Sequence, residues 1–500
     1  MTLYDIITEF EQVCVRLYES EESEDFESVG DAYISLSRML RQLYPGLSLS
    51  LLRTGEVIMQ DKGCIDKLII LRLNIVDAYL KLSNSCYSNN DAKRGGVFYV
   101  AAIEMNDIIT AYINNYGITK YDAILHEKES AIKHFTNIEG QSFIKDRTTR
   151  SKKVKTILDV IEEIAIEEEL YSVDQKSQND SFMPTGHYVE NRYMPMSYSL
   201  KERDKVVLVP MGIIMGRLYR GEARYHKICK ASLYRVGMLP SERFWERLKT
   251  CQLSCLIYNY PITRVFEGGL QSNDGKFPIK NLNIDFEAIA QHYGIKTSLM
   301  DMTTDKWAAA FFATSRLDRN TGCYNPVKRT RKKGTFYQLD TDFIHTLGKE
   351  IRSIGVQPLA RPEYQNGYVY RMGRHSELNR DRQMKRTMFV HDYYQSRLIF
   401  AYANRGNRFF PKELAEDRID EIVKTRKIHP DAYKYVVSKF YKTTPQSVID
   451  KYIVEQKIEI DDDIPHFSDE EIKNIFTVWE QHDADRILRR ILKPVLFYKM

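Results

Sequence analysis

Residues 287–303, EAIAQHYGIKTSLMDMT, and the ten residues after them, TDKWAAAFFA (304–313), decide how the centre of this chain folds. The first stretch predicts the end of an apolar-faced helix, a stop at Gly294, a short strand and a polar turn. The second predicts a helix that is apolar on nearly every side, and such a helix belongs in a core. The whole unit is therefore predicted to lie at the centre of a domain.

Four polar residues lie at the ends of these predicted elements, where side chains can meet a ligand: Gln291, His292, Asp301 and Thr303. His292 has the chemistry of a general base or a cofactor contact, and an equal alternative is a structural histidine at the end of its helix. Asp301 and Thr303 come just before the apolar helix, so Thr303 or Thr304 is a candidate N-cap. A helix N-terminus with Thr and Asp side chains is also a natural site for an anion or a ribose.

A second motif lies upstream, where residues 218–222 read LYRGE. Arg220 follows an apolar run and precedes Gly221, so we expect its guanidinium at a strand end beside open backbone. That position suits a phosphate or pyrophosphate, because the planar guanidinium can bind two oxygens at once. The alternative is an arginine that bridges Glu222 or Asp301 and ties a turn together.

Three motifs in this order resemble those of the FRG domain, a family named for its Phe/Tyr-Arg-Gly signature. They are Tyr219-Arg220-Gly221 with the following Ala231-Ser232-Leu233-Tyr234-Arg235, then Ala290-Gln291-His292-Tyr293-Gly294 with Thr297–Thr303, and finally Arg361–Tyr368. The resemblance covers roughly residues 205–405. It implies an α+β domain built around the central apolar helix.

The layout of these motifs also resembles that of ADP-ribosyltransferases: an early aromatic-Arg-Gly strand, a middle polar strand end and a late acidic pair. The resemblance implies that NAD is the substrate and that Arg220 holds its phosphates. Thr303 or Asp301 would then shape the nicotinamide pocket, and Glu363 or Gln365 would orient the ribose. Glu363 and Gln365 lie two apart on a predicted strand, so they would share a face. The other implied cofactor contacts are Tyr219, Gly221 and Gln291.

Composition bounds the class of protein. A chain of 500 residues with 43% hydrophobic and 12% aromatic residues can bury a substantial core and is predicted to hold two to four domains. Seven scattered cysteines fit a reducing cytosol better than a disulfide framework. Cys251 and Cys255 are predicted to share a helix face and not to bind zinc. No signal peptide, membrane span or metal site is expected, so the predicted location is the cytoplasm.

Changes in pattern along the chain predict its organisation. We expect a helical N-terminal domain (1–170), a polar linker (171–204), the α+β domain (205–408) and a helical C-terminal region (409–500). Within the helical parts, Pro45-Gly46 is predicted to end a helix and Gly95-Gly96 to break the chain before another. Pro411 is placed in a first helical turn, and Ser468–Glu471 forms a predicted capping box.

A basic loop follows the central helix, since residues 327–333 read VKRTRKK. Five cations in seven residues could hold nucleic-acid phosphates. The alternative is a solvated surface loop.

The leading functional hypothesis is an NAD-consuming or ADP-ribosyl-transferring enzyme, as in an intracellular toxin or a phage-defence effector whose helical regions recognise a trigger or target. The alternative is a non-catalytic module in which Arg220 and the basic loop bind a nucleotide or nucleic acid. The two differ in one observable, because only the enzyme would release nicotinamide from NAD.

Overall fold

The structure is a computed structural model. It describes residues 3–89, 91–139, 155–178, 193–200, 203–210, 217–271, 278–279, 282–318, 321–328, 332–340, 351–462, 465–483 and 487. Helices precede and follow a central strand-containing region. The predicted α+β class is therefore confirmed.

The N-terminal region is helical. Its helices are α1 Leu3–Glu22, α2 Phe26–Leu40, α3 Pro45–Lys62, α4 Ile65–Ser88, α5 Ala92–Tyr116, α6 Asp122–Glu139 and α7 Ile157–Gln178. Asp25 and Asp91 cap α2 and α5 by accepting a hydrogen bond from a backbone N–H in the first turn, which satisfies one of the otherwise unpaired donors there. Residues 147–154 of the basic run lie outside the described residues, as do 179–192 and 201–202 of the predicted linker. The other residues of the predicted linker are not a linker, since 171–178 continue α7 and 193–200 and 203–204 lie in strands.

Two predicted boundaries in this region are wrong. Pro45 begins α3 instead of ending a helix, which its fixed φ and missing N–H favour at a first turn. Gly95 and Gly96 lie inside α5. A Cβ on Gly95 would stand 2.8 Å from the ring of Tyr87, so close packing against α4 explains the glycine.

A buried ionic cluster joins α3, α4 and α7. Arg53 and Arg72 donate to Glu56 at 2.7 and 2.9 Å, and Arg53 also donates to Glu169 at 3.2 Å. Burial acts to raise the pKa of Glu56, but the two guanidinium groups outweigh it, so that pKa lies below its usual value. The carboxylate therefore stays charged in the core.

The central region is built on one antiparallel sheet, in which the spatial order of the strands differs from their order along the chain. Its strands run in the order β10 Ile351–Ser353, β11 Gly367–Arg371, β6 Leu299–Thr303, β3 Arg217–Glu222, β9 Gly334–Asp340 and β12 Met384–Phe389. Two-stranded pairs flank it: β1 Tyr193–Leu200 with β2 Arg203–Pro210, β4 Leu270–Gln271 with β5 Pro278–Ile279, and β7 Ser315–Leu317 with β8 Tyr324–Pro326. Its helices are α8 Pro240–Tyr258, α9 Pro261–Gly268, α10 Phe286–His292, α11 Lys306–Thr314, α12 Arg361–Tyr364 and α13 Tyr393–Tyr402.

The central unit folds as its sequence predicts. Helix α10 ends at His292, and Gly294 adopts a left-handed φ of 87° directly after it. Strand β6 then leads to α11, whose Trp307 and Phe311 are buried. The core around α11 continues into α13 and the N-terminal helices α1 and α7, so the helical region and the sheet pack as neighbours.

The C-terminal region consists of short helices: α14 Glu416–Lys424, α15 Pro430–Phe440, α16 Gln446–Gln456 and α17 Asp469–Val478, with a two-residue parallel pair of β13 Lys427–Ile428 and β14 Glu459–Ile460. The predicted capping box is confirmed, since Ser468 and Glu471 each bond the other's backbone N–H. Pro411 is not helical, and that prediction is wrong.

Among the described helices, α5 is long and apolar enough, by length and composition, to cross a membrane. Its side chains Phe98, Ala102 and Ile109 are buried, and the helix packs along α4.

Candidate functional site

Arg220 is held by a carboxylate on its own strand. Its Nε and Nη2 donate to the same oxygen of Glu222, at 3.0 and 2.9 Å. Residues two apart on a strand point to the same face, so strand geometry alone brings the pair together. Burial acts to raise the pKa of Glu222, but Arg220 outweighs it and the pKa lies below its usual value. The other oxygen of Glu222 lies 3.4 Å from His226.

The guanidinium also bridges two strands that part at this point. Strands β3 and β6 pair at Tyr219 opposite Thr303. Beyond that pair, Arg220 Nη1 donates to the backbone carbonyl of Asp301 at 2.8 Å. These three hydrogen bonds use three of the five N–H donors of an arginine. Arg220 therefore closes the gap between the strands, and two of its N–H donors have no hydrogen-bond partner among the residues that the structure describes.

The carboxylate of Asp301 belongs to a separate hydrogen-bond chain. Gln291 Nε2 donates to Asp301 Oδ2 at 3.2 Å, and Thr297 Oγ1 donates to Gln291 Oε1 at 2.5 Å. The side chain of Asp301 is 39% exposed. Helix α10 thus fixes the orientation of a carboxylate that solvent or a ligand can still reach.

His292 stands beside the same carboxylate. Its Nε2 lies 4.0 Å from Asp301 Oδ1, and both atoms are buried without a hydrogen-bond partner among the described residues. Burial holds the pKa of His292 below its usual value, although Asp301 and a hydrogen bond with Gln365 act to raise it. The imidazole is therefore neutral at physiological pH.

The sheet separates the predicted residues into two sets. Alternation along the strands places Arg220 and Glu222 on one face, and Tyr219, Asp301 and Thr303 on the other. The Arg220 guanidinium reaches the backbone carbonyl of Asp301 through the gap between β3 and β6, while the Asp301 side chain lies on the opposite face. We call Arg220, Glu222, Gln291, His292 and Asp301 the Arg220 network.

Tyr219 and Gly221 face the helices instead. The Tyr219 ring is buried and its hydroxyl donates to Glu168 of α7 at 2.6 Å. Gly221 lies directly against α11, where a Cβ would stand 1.8 Å from the carbonyl oxygen of Ala309. Packing accounts for both residues, and their contact with a cofactor stays a prediction.

Thr303 organises the start of α11 without capping it. Its hydroxyl donates to the carbonyl of Gln365 at 2.6 Å and accepts from Asp305 N at 2.9 Å. The cap is Asp305, whose carboxylate accepts from Trp307 N. The prediction that Thr303 or Thr304 caps this helix is wrong, because the chain turns one residue further before the helix begins.

The late motif begins as a helical turn, and only its last two residues, Gly367 and Tyr368, belong to a strand, β11. Residues Arg361–Tyr364 form α12, and Pro362, which has no N–H for a strand ladder, suits the first turn of a helix. Glu363 and Gln365 therefore do not alternate along a strand, and that prediction is wrong. Glu363 is buried. Gln365 is buried as well, donates to the Phe409 carbonyl at 3.0 Å and reaches His292.

Sequence reasoning left two members of this arrangement unassigned. The sequence suggests Glu222 only as an ion-pair partner of Arg220, although the spacing of two residues on one strand indicates that both side chains lie on the same face. Thr297 opens the middle FRG motif but is given no role by it, because its hydrogen bond to Gln291 arises only when α10 packs beside the start of β6. The middle of the basic loop, Arg329–Arg331, lies outside the described residues. No group of three or more metal-ligating side chains occurs among the residues described.

Comparison with known families identifies the domain. The sequence model of the FRG domain family matches residues 216–322, so the FRG domain predicted from the motifs is confirmed. The match includes β3, α10, β6 and α11, while the late motif lies beyond it. No curated protein and no solved structure matches the chain.

Proposed function

We propose that the FRG domain binds a ribosyl nucleotide at the Arg220 network, and that NAD is the nucleotide. The observation that carries the proposal is a guanidinium fixed between strands, with one carboxylate on its own strand and a second at the strand it bridges. A positioned arginine suits a pyrophosphate. Carboxylates suit ribose hydroxyls and the positive charge that develops on the ribose.

The proposed reaction breaks the bond between ribose C1′ and the nicotinamide nitrogen. The bonding electron pair leaves with nicotinamide, which becomes neutral, and C1′ becomes an oxocarbenium ion. Water or a nucleophilic side chain of a target then adds to C1′ and gives up a proton. This is ADP-ribosyl transfer, or NAD hydrolysis when the acceptor is water.

The residues have distinct proposed roles. The uncommitted N–H groups of Arg220 would bind the pyrophosphate. Asp301, the more exposed carboxylate, would accept hydrogen bonds from the ribose and stabilise the cation. Gln291 and the neutral His292 are positioning residues that act through Asp301, and Gln365 acts through His292. The resemblance to ADP-ribosyltransferases assigns the ribose to Glu363 or Gln365, but both are buried, and the proposal gives this role to Asp301.

The second candidate is a nucleotide- or nucleic-acid-binding module without catalysis. The ion pair between Arg220 and Glu222 favours this second candidate. An arginine that a carboxylate already neutralises can offer hydrogen bonds to an anion, but it adds little net positive charge. In this version the basic loop 327–333 adds the missing positive charge.

A cytoplasmic toxin or phage-defence role, with the helical regions recognising a trigger, rests on the resemblance to ADP-ribosyltransferases alone.

The test is release of nicotinamide from NAD by the purified full-length protein, followed by liquid chromatography. Arg220→Ala should lower turnover by about 2–4 kcal/mol in transition-state binding, the scale of a lost charge-assisted bidentate contact. Arg220→Lys should rescue poorly, because an ammonium lacks the planar fork. Asp301→Asn should also lose turnover.

Arg217→Ala is the matched control. Arg217 is on the same strand but the opposite face, paired with Glu167 and Asp340, so turnover should stay near that of the wild type. Neutralising Lys328, Arg329, Arg331 and Lys333 together should also leave NAD turnover near normal. If no nicotinamide is released and the loop variant loses salt-dependent nucleic-acid binding, the second candidate is correct.

A further inference from the structure

A large cavity lies between α8, the residues just before β6 and α15, and Thr297, the hydrogen-bond partner of Gln291, is part of its lining. Its volume is about 940 Å³, at the upper end of the range for small-molecule sites. None of the five network residues lines it. The lining residues that matter here are Arg247, Cys251, Cys255, Tyr435, Lys439 and Phe440.

The cavity presents cations next to aromatic faces. The Arg247 guanidinium lies 4.5 Å above the ring of Phe440, and Lys439 Nζ lies 4.8 Å from the ring centre of Tyr435. Tyr435 and Phe440 are both nearly half exposed. A planar ring entering the cavity would therefore find aromatic and guanidinium faces already arranged for stacking.

The balance of charge in the cavity is positive. Of its two carboxylates, Glu287 is paired with Arg371 at 2.7 Å and Asp431 with Lys434 at 3.4 Å. Among the described residues, no carboxylate lies within ion-pair distance of Arg247 or Lys439. Their charge is therefore available to an anionic ligand.

We propose that this cavity is a binding site for a nucleoside diphosphate, a ligand that joins a stacking ring to an anion. Its ring would stack at Tyr435 and Phe440, and its phosphates would meet Arg247 and Lys439. The size suits the ligand, since sites of roughly 300–1,000 Å³ bury most of a drug-sized molecule. The proposal does not depend on the activity of the Arg220 network.

Two thiols make the cavity testable. Cys251 and Cys255 lie one turn apart on α8 and both line it. A hydrogen bond from Cys251 lowers the pKa of Cys255 to about 7, so a useful fraction is thiolate near neutral pH. A ligand that fills the cavity should shield Cys255 from alkylation.

The experiment measures alkylation of Cys255 by iodoacetamide in the full chain, using peptide mass spectrometry and ADP as the probe. The exposed Cys323, which is outside the cavity, is the internal reference. Saturating ADP should slow alkylation of Cys255 by about tenfold or more and leave Cys323 unchanged. Adenosine supplies the stacking ring without the anion, and inorganic pyrophosphate supplies the anion without the ring, so each should protect less than ADP.

Variants separate this site from the Arg220 network. Lys439→Ala removes an exposed side chain, so it should fold normally, and it should weaken protection by ADP about tenfold, the scale of a lost charged hydrogen bond. Lys442→Ala, which changes an exposed lysine just past α15 that does not line the cavity, and Arg220→Ala should both leave protection unchanged. The proposal is overturned if millimolar ADP fails to protect Cys255, if Lys439→Ala and Lys442→Ala behave alike, if Arg220→Ala abolishes protection, or if adenosine alone protects as well as ADP.

Discussion

Substitution of Gly221 by alanine tests whether the glycine of the FRG signature serves packing. In the structure, the new methyl carbon would stand 1.8 Å from the Ala309 carbonyl oxygen and 2.8 Å from both the carbonyl carbon of Ala309 and the Cβ of Ala313. An ordinary carbon–oxygen contact is about 3.3 Å or longer. Strand β3 and helix α11 would therefore have to separate by roughly 1.5 Å, taking that contact distance as the requirement.

The obstacle is backbone, which cannot rotate away as a side chain can. Overpacking a core costs about 1–3 kcal/mol and occasionally more, and this contact belongs at the upper end. Alanine also restricts the unfolded chain, which returns about 0.4–1 kcal/mol. The expected net loss in the free energy of unfolding is therefore about 2 kcal/mol or more, from these two magnitudes.

The assay is urea unfolding of Gly221→Ala followed by tryptophan fluorescence, which includes the buried Trp307 on α11. The control is Gly96→Ala in α5, where the new methyl carbon would meet only the Tyr87 hydroxyl, at an ordinary 3.6 Å. That change should stabilise the protein by about 0.5–1 kcal/mol, because glycine is unfavourable inside a helix. An unfolding midpoint of Gly221→Ala equal to that of the wild type would refute the packing explanation and return Gly221 to a role at the ligand.

Three further predictions concern buried side chains. Phe311→Ala should cost about 3–5 kcal/mol in urea unfolding, because its ring is fully buried among other aromatic rings; unchanged stability would show that α11 is not in the core. Glu56→Gln should cost about 3–5 kcal/mol by removing the carboxylate partner of Arg72 and leaving Arg53 with Glu169, and a loss below about 1 kcal/mol, the scale of an exposed pair, would contradict the buried cluster. His292 has a folded-state pKa below its unfolded value, so the unfolded state gains the proton first as pH falls below about 6.5 and folding is weakened there. Wild type should therefore lose up to about 1.4 kcal/mol per pH unit more than His292→Gln in that acidic window, and parallel pH profiles would show that His292 is not buried as a neutral group.

Local chemistry determined the elements that sequence reasoning predicted correctly. The apolar spacing of 287–290, the stop at Gly294 and the apolar run of α11 each depend on neighbours within a few residues. The capping box at Ser468 is equally local, since cap and partner lie three residues apart. The FRG motifs were recognisable for the same reason, because each is a short stretch of fixed residue types.

The wrong predictions share a different cause. Glycine has a low intrinsic preference for helices, yet Gly95 lies inside α5. The Tyr87 ring occupies the space that any side chain at this position would need. Glu363 has strand-like spacing to Gln365, but Pro362 and the surrounding packing make that segment a helical turn. Tertiary contacts outweigh local preferences of about a kilocalorie per residue.

The sequence by itself determined the α+β class, the central helix–strand–helix unit and the residue types that carry charge near it. Only the tertiary structure decided that Arg220 spans the gap between β3 and β6 and that Asp301 faces α10 from the other side of the sheet. The physical reason is that strand pairing and helix docking set these distances. The strand contact joins residues 81 positions apart and the contact with α10 joins residues 10 apart, and the period of a local pattern encodes neither.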